Sequence, residues 1–253
     1  MKELSNIGIH LRQHRKRRGM SQLALANSAE STSRYISFIE TGRARPGREV
    51  ILRLSESLNL TPRESNELLI AAGLPILFTE ASLNDEEMEP VKKVIEQVLQ
   101  KHDPFPAWAI GPGLRFLNSN QAAEKVFPGM VGMEPSQLID LWCSPSHEVP
   151  ESQRAYIVQQ TLQGLKHEAF HHPHPEIPAL IKQLEGYAAQ FDQLPLIAES
   201  SVMCPTIMIK GQEVRTLSTV MRFDKVVNVT MSEVRIELVF PADEESEAIL
   251  KSL

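Results

Sequence analysis

The chain has 253 residues, 42% hydrophobic and 23% charged, a composition typical of a globular protein long enough for two domains. It contains no run of about 18 apolar residues and no apolar core near its N-terminus, so neither a membrane span nor a signal peptide is expected. Cys143 and Cys204 are the only cysteines, which argues against a disulfide framework and favours a cytoplasmic location.

The charges are distributed unevenly along the chain. The net charge is −6, but residues 1–73 carry 12 Lys+Arg against 7 Asp+Glu, a net charge of +5, whereas the remainder carries 14 against 25, a net charge of −11. This asymmetry favours a polyanion partner for the first segment. Pro75 and the acidic run at Asp85 mark a linker. We therefore expect a head at residues 1–73, a linker at 74–89 and a second domain at 90–253.

Local signals in the head predict five short helices. Caps and glycine stops flank the apolar stripes that would form the core. The expected helices are Ser5–Arg18, Gln22–Ser28, a third between Thr32 and Gly42, a fourth containing Val50, Ile51, Leu54 and Leu58, and a fifth from the capping box at Thr61 to Gly73.

The third helix carries the chemistry of the head. Thr32 can cap it, and Ile36 and Ile39 lie three residues apart on the inward side. Ser33, Arg34, Ser37 and Phe38 then remain on the outer side. Short polar groups, an arginine and an aromatic ring in the first two turns suit the major groove of DNA.

Five segments of the head resemble the Cro/repressor-type (Xre) helix-turn-helix family at matching spacings: Leu11-Arg-Gln-His-Arg15, Gly19-Met-Ser-Gln22, Tyr35-Ile-Ser-Phe-Ile-Glu40, Gly42-Arg43 and Pro46. The resemblance implies a lambda-repressor-like, all-α fold and operator binding as a homodimer. It also implies a phosphate contact by Gln22 and a structural pair between Arg15 and Glu40. Glu30 departs from the family, which usually has glycine in that turn.

The predicted contacts with double-stranded DNA are of two kinds. The resemblance assigns base contacts to Ser33, Arg34 and Phe38. Arg34 can bind guanine or a phosphate, and Phe38 can pack on a thymine methyl group or in the head core. Basic residues after the helix are expected to contact phosphate. The full predicted set is Gln22, Thr32, Ser33, Arg34, Ser37, Phe38, Arg43, Arg45 and Arg48.

The second domain shows alternating apolar patterns at both ends and a helical middle. Strands are expected at 107–110, 114–118, 204–210, 217–223 and 234–240, with helices that include Gln153–His167 and Ile177–Gln190 between them and Glu244–Leu253 after them. An antiparallel sheet with one apolar face needs a cover of helices. The expected fold class is therefore α+β, with a PAS-like five-stranded antiparallel sheet covered by helices behind the five-helix head.

Three segments of this domain resemble the MmyB-like ligand-binding domain that often follows an Xre head: Phe105-Pro-Ala-Trp108, Leu117-Asn-Ser-Asn-Gln-Ala122 and the run from Val234 to Asp243. The resemblance spans about residues 88–250 and implies a cavity for a small, fatty-acid-like molecule. Trp108, Phe116, Phe191 and Met221 are candidates to line such a cavity, and plain core packing is the alternative for each of them.

A histidine-rich stretch, His167 to His174, contains the letters of a His-Glu-x-x-His zinc motif at His167, Glu168 and His171. Pro173 and Pro175 crowd the helix that this motif needs, and no supporting ligand stands at a suitable spacing. We therefore expect no metal and no other cofactor. A solvated loop is the preferred interpretation of the stretch.

Together these patterns predict a dimeric, ligand-responsive, DNA-binding transcription regulator without enzymatic activity. Two alternatives stay open at this point. In one, the second domain is only a module for dimerisation or partner docking. In the other, the chain is a metallohydrolase with a regulatory DNA-binding head.

Overall fold

A computed structural model describes residues 6–145, 151–194, 206–209, 211–223 and 228–253. Its contacts divide the chain into two units, the first comprising Met1–Ser82 and Asp224–Ser232, the second Leu83–Phe223 and Glu233–Leu253. Among the described residues, none of the helices combines the length and the apolar character needed to cross a bilayer.

The head contains the five predicted helices. They are α1 (Asn6–Arg17), α2 (Gln22–Ser28), α3 (Ser33–Glu40), α4 (Arg48–Ser57) and α5 (Pro62–Ala71). The predicted caps are present: Ser21 Oγ accepts from the N–H of Ala24, and Thr61 and Glu64 form a reciprocal capping box. Gly19 and Gly73 take left-handed φ angles of 65° and 74° just after α1 and α5.

One apolar cluster holds these helices together. It draws fully buried leucine and isoleucine side chains from all five helices, including Leu11, Leu25, Ile36, Ile51 and Leu68. Gly8 allows an unusually close approach within this arrangement. A Cβ atom at Gly8 would lie 2.7 Å from the backbone oxygen of Ile39 and 2.8 Å from that of Glu40, so α1 packs directly against the end of α3.

Part of the predicted linker is ordered within the first unit. The buried Asn66 accepts from the N–H groups of Leu77 and Phe78 through Oδ1 and donates to the Phe78 oxygen at 2.7 Å. Farther along, the N–H of Val229 donates to the Thr79 oxygen at 2.8 Å. The domain boundaries expected at residues 73 and 89 stay predictions.

The second unit is built on a five-stranded antiparallel sheet of order β2-β1-β5-β4-β3. Its strands are β1 (Ala107–Gly111), β2 (Arg115–Ser119), β3 (Thr206–Ile209), β4 (Gln212–Arg222) and β5 (Arg235–Pro241). The other helices of this unit are α6 (Glu89–His102), α7 (Gln121–Val126), α8 (Pro135–Cys143), α9 (Glu151–His171), α10 (Ile177–Ala188) and α12 (Glu244–Lys251). Helix α11 (Val229–Glu233) belongs to the first unit except for its last residue.

Strand β1 is buried on both faces. Its residues alternate between two clusters: Trp108 and Ile110 join Phe116 and Leu138, while the two alanines, Ala107 and Ala109, join a cluster that includes side chains of α6 and β5. Helices therefore cover this part of the sheet. The expected α+β class, with a five-helix head and a helix-covered antiparallel sheet, is confirmed.

Two boundaries differ from the sequence prediction by more than two residues. Helix α9 runs through His171, four residues past its predicted end, because a proline restricts the residue before it, here His172, and leaves His171 free to stay helical. Strand β4 begins at Gln212 rather than Leu217, after Gly211 with φ of 80°. The predicted third strand is described only at 206–209; the rest of 204–210 lies outside the described residues.

Candidate functional site

Helix α3 is fixed at its start by Thr32. The Thr32 backbone is extended, with φ of −119°, and its Oγ1 accepts from the N–H of Tyr35 at 3.2 Å. Ile36 and Ile39 are fully buried, so the opposite side of the helix faces outward. On that side Arg34 is exposed, while Ser33, Ser37 and Phe38 are half-buried.

Phe38 lies beneath two guanidinium groups. The Cζ atom of Arg34 is 5.3 Å from the centre of the Phe38 ring, and that of Arg43 is 6.0 Å from it. Both distances suit cation–π attraction, which limits the freedom of the two arginine side chains. The ring therefore belongs to the outer surface with the arginines, which favours the surface alternative over core packing.

The end of α3 is anchored by a buried carboxylate. Arg15 donates to Glu40 through Nε at 2.6 Å and through a terminal nitrogen at 2.9 Å, so α1 and α3 share a bidentate ion pair. Arg15 also donates to the Met20 oxygen at 2.8 Å. Burial alone would raise the pKa of Glu40, but hydrogen bonds from Arg15 and Gln22 and the charges of Arg15 and Arg12 outweigh burial and lower it.

Gln22 has a structural partner that the sequence did not indicate. It is half-buried at the first position of α2, and its Nε2 donates to Glu40 Oε2 at 2.9 Å. The same carboxylate therefore joins α1, α2 and α3. The contact of Gln22 with phosphate stays a prediction, and no spacing rule links residues 18 apart in sequence, so the pair could not be found beforehand.

Glu30 occupies the turn between α2 and α3 with a left-handed φ of 48°. This is the position where the resemblance calls for glycine. The Ser31 N–H donates to the Ala26 oxygen at 2.8 Å and closes α2. The turn thus keeps the geometry of a helix-turn-helix at the expense of backbone strain in Glu30.

An arginine-rich segment follows α3. The backbone N–H groups of Arg43 and Ala44 both donate to the Phe38 oxygen, which turns the chain back after Gly42, with φ of 71°. Arg43, Arg45 and Arg48 are all exposed. Positive charge therefore continues beyond the outward side of α3.

The four candidate cavity residues of the second unit are only partly brought together. Trp108 and Phe116 share a buried cluster with an edge-to-face ring contact at 6.2 Å, and Phe116 makes a second such contact with Trp142. Phe191 packs against a different cluster. Met221 is 46% exposed on β4, so its side chain does not belong to the buried group.

The His-Glu-x-x-His letters lie on a continuous helix, contrary to the expected break at the prolines. The rings of His167 and His171 are 4.3 Å apart. Glu168, however, is buried, and both of its oxygens have partners: the Gly113 N–H donates to one at 2.9 Å, and Arg235 donates to the other at 3.0 Å. The carboxylate therefore ties α9 to the β1–β2 turn and to β5.

Comparison with known proteins finds a family model that matches the head. A helix-turn-helix domain model matches residues 6–68. The crystal structure of the restriction-modification controller protein C.AhdI from Aeromonas hydrophila shares 31% sequence identity over 26% of this chain and 98% of that chain, with a TM-score of 0.24. The search of curated proteins returns no match.

The model of the MmyB-like transcription regulator ligand binding domain matches residues 91–253, which is more than half of the chain. The first unit thus supplies a helix-turn-helix for DNA and the second a ligand-binding domain. The chain belongs to the family of MmyB-like transcription regulators.

Proposed function

We propose that the protein binds a specific DNA operator as a homodimer, that a small apolar ligand in the second domain controls this binding, and that the chain has no catalytic activity of its own. The observation that carries the proposal is the outward side of α3, where an exposed arginine, two serines and an aromatic ring stand on a helix fixed at both ends. Such a helix can be inserted into a major groove without reorganisation.

The proposed contacts fall into two classes. Arg34, Ser33, Ser37 and Phe38 read base edges from the first turns of α3. The second class comprises contacts with the phosphate backbone of DNA, which set the register of α3 in the groove without reading sequence. Its members are Gln22, Thr32, Arg43, Arg45 and Arg48. The cation–π contact supports this assignment because it holds Arg34 on the outward side of α3.

A ligand can change DNA affinity only if it binds two dimer arrangements unequally. The buried apolar cluster around Trp108 and Phe116 supports an apolar ligand, because sites for such molecules are lined mainly by hydrophobic and aromatic side chains. The engaged carboxylate of Glu168 supports a regulator over a zinc hydrolase, since a general base needs a free oxygen facing the metal-bound water.

The first experiment selects bound fragments from genomic DNA with the purified full chain and derives the operator from them. Affinity for operator and for random DNA is then measured for Arg34→Ala and for its matched control, Arg45→Ala. Arg34→Ala should weaken operator binding by about 1–3 kcal/mol and relax one base preference. Arg45→Ala should weaken both DNAs alike and reduce the salt dependence. Equal losses on both DNAs for Arg34→Ala would contradict base reading.

The ligand is tested by native mass spectrometry of the full chain. A dimer carrying a small molecule, whose removal changes operator affinity, would support ligand control. A stable dimer that neither retains nor takes up any apolar molecule would instead indicate a module for dimerisation or docking.

A further inference from the structure

Three potential metal ligands converge on the side of the head formed by α1 and α5. His10 and His14 are one turn apart on α1, and Glu67 projects from α5. One ligand atom from each of the three lies within 4.8 Å of the ligand atoms of the other two. Among the residues that the structure describes, no other three His, Cys, Asp or Glu side chains meet this distance. Two histidines four residues apart on a helix are a spacing that suits one metal ion.

His14 is the residue that points to a ligand. Its side chain is only 9% exposed, and its Nε2 atom has no hydrogen-bond partner although it is buried. Native structures rarely leave a buried polar atom without a partner, because the hydration lost on burial is then not replaced. The other ring nitrogen, Nδ1, lies 3.7 Å from Glu64 Oε1, which leaves Nε2 for a ligand.

The surroundings of His14 resemble the outer shell of a metal site. Metal-bound histidines usually direct their second nitrogen to a carboxylate, which fixes the ring and strengthens it as a ligand. Glu64 faces that nitrogen at 3.7 Å, a charge contact longer than a hydrogen bond, and is held in turn by Arg17 and by the Thr61 N–H.

We propose that His10, His14 and Glu67 form a binding site for a divalent transition-metal ion, of which zinc best fits two imidazoles, one carboxylate and a water molecule. The ion would join α1 to α5 and give His14 Nε2 its missing partner. Because the ion would bind the folded head and not the same set in the unfolded chain, it would stabilise the head by an amount that rises with the logarithm of the ion concentration above the dissociation constant.

The test uses the full chain, purified with a chelator and dialysed. Zinc alone is titrated by calorimetry, and cobalt is titrated separately to obtain a visible absorption spectrum of the ligand field. The proposal expects one ion per chain, cobalt bands of a site with nitrogen and oxygen ligands, and slower amide hydrogen exchange in α1 and α5 when zinc is bound. Absence of binding by the unaltered chain would overturn it.

Two variants at less buried positions avoid disturbing the core. His10→Ala and Glu67→Gln should each weaken zinc binding at least about tenfold, since even loss of an outer-shell partner has an effect of that size. Glu56→Gln, at an exposed carboxylate of α4, and His167→Ala, in the second unit, should leave it unchanged. Zinc binding that survives both head variants, or that is lost in His167→Ala, would overturn the proposal.

Discussion

At the scale of single residues, Glu30 shows strain that the sequence allowed us to anticipate. Its left-handed backbone, with φ of 48°, costs a residue with a side chain on the order of 1–2 kcal/mol. Glycine would relieve this strain, but the greater conformational entropy of its unfolded chain would offset part of the gain in stability. We expect Glu30→Gly to stabilise the head by about 1 kcal/mol, which would slow amide exchange in α2 and α3 about fivefold.

Glu30→Ala is the matched control for that variant, because it removes the carboxylate but keeps the Cβ atom responsible for the strain. It should leave exchange in α2 and α3 nearly unchanged. If both variants slowed exchange equally, the charge of Glu30 rather than its backbone would be the destabilising feature.

Glu40 should make the stability of the head depend on pH. Its pKa is lowered in the folded state, so its contribution is complete above the unfolded value of about 4.3 and is lost as pH falls from there through the folded value. Glu40→Gln should therefore flatten the decline in head stability below about pH 5. It should also cost about 3 kcal/mol at neutral pH, because it leaves Arg15 buried without a charge partner.

Amide exchange of α1 and α3, measured in the full chain at several pH values, reports both effects. The double variant Arg15→Met, Glu40→Leu serves as the control, since removal of both charges leaves neither buried alone. It should recover most of the lost stability and retain the flattened pH profile. If Glu40→Gln left the decline of head stability at acid pH unchanged, another carboxyl group would be its main cause.

At the scale of elements, the packing of α1 on α3 depends on the absence of a side chain at Gly8. Alanine within a helix normally stabilises it by about 1 kcal/mol relative to glycine. At Gly8 the added methyl group would meet two backbone oxygens that cannot rotate away. We expect Gly8→Ala to destabilise the head by about 1–3 kcal/mol, seen as faster exchange in both helices.

Gly164 in α9 offers the comparison, since a Cβ atom there would meet nothing within 4 Å. Gly164→Ala should show the ordinary gain in stability. If Gly8→Ala gained as much stability, the close packing of α1 on α3 would contribute nothing to the stability of the head.

The elements that the sequence predicted well are those with local signals. Ser21, Thr32 and Thr61 cap helices through residues three positions away, so the caps could be read from short stretches of chain. The contact of Gln22 with Glu40 and that of Arg235 with Glu168 join residues far apart in sequence. The close approach at Gly8 also depends on tertiary packing, and none of the three has a sequence signature.

In the candidate site, too, the features with local sequence signals could be predicted, and those that depend on long-range packing could not. The outward side of α3 follows from helical periodicity, so Arg34 and Phe38 could be placed before the fold was known. Cavity residues of the sheet domain have no such rule. Trp108 and Phe116 come together because β1 and β2 are neighbours, whereas Met221 is exposed toward the end of the long strand β4.

At the scale of the whole molecule, the proposed homodimer makes a geometric prediction about its operator. Two heads related by twofold symmetry should bind half-sites whose centres are one helical turn apart, about 34 Å or 10 base pairs. Insertion of about five base pairs between the half-sites would turn one of them to the opposite face of the duplex. The affinity should then fall to that measured for DNA with a single half-site.

Binding of the full chain to the selected operator, to the lengthened operator and to a single half-site tests this by titration at fixed salt, because phosphate contacts make every affinity salt-dependent. The single half-site is the matched control for the loss of one head. If the lengthened operator bound as tightly as the original, the two heads would not be held in a fixed relation, and a ligand could not act by choosing between two dimer arrangements.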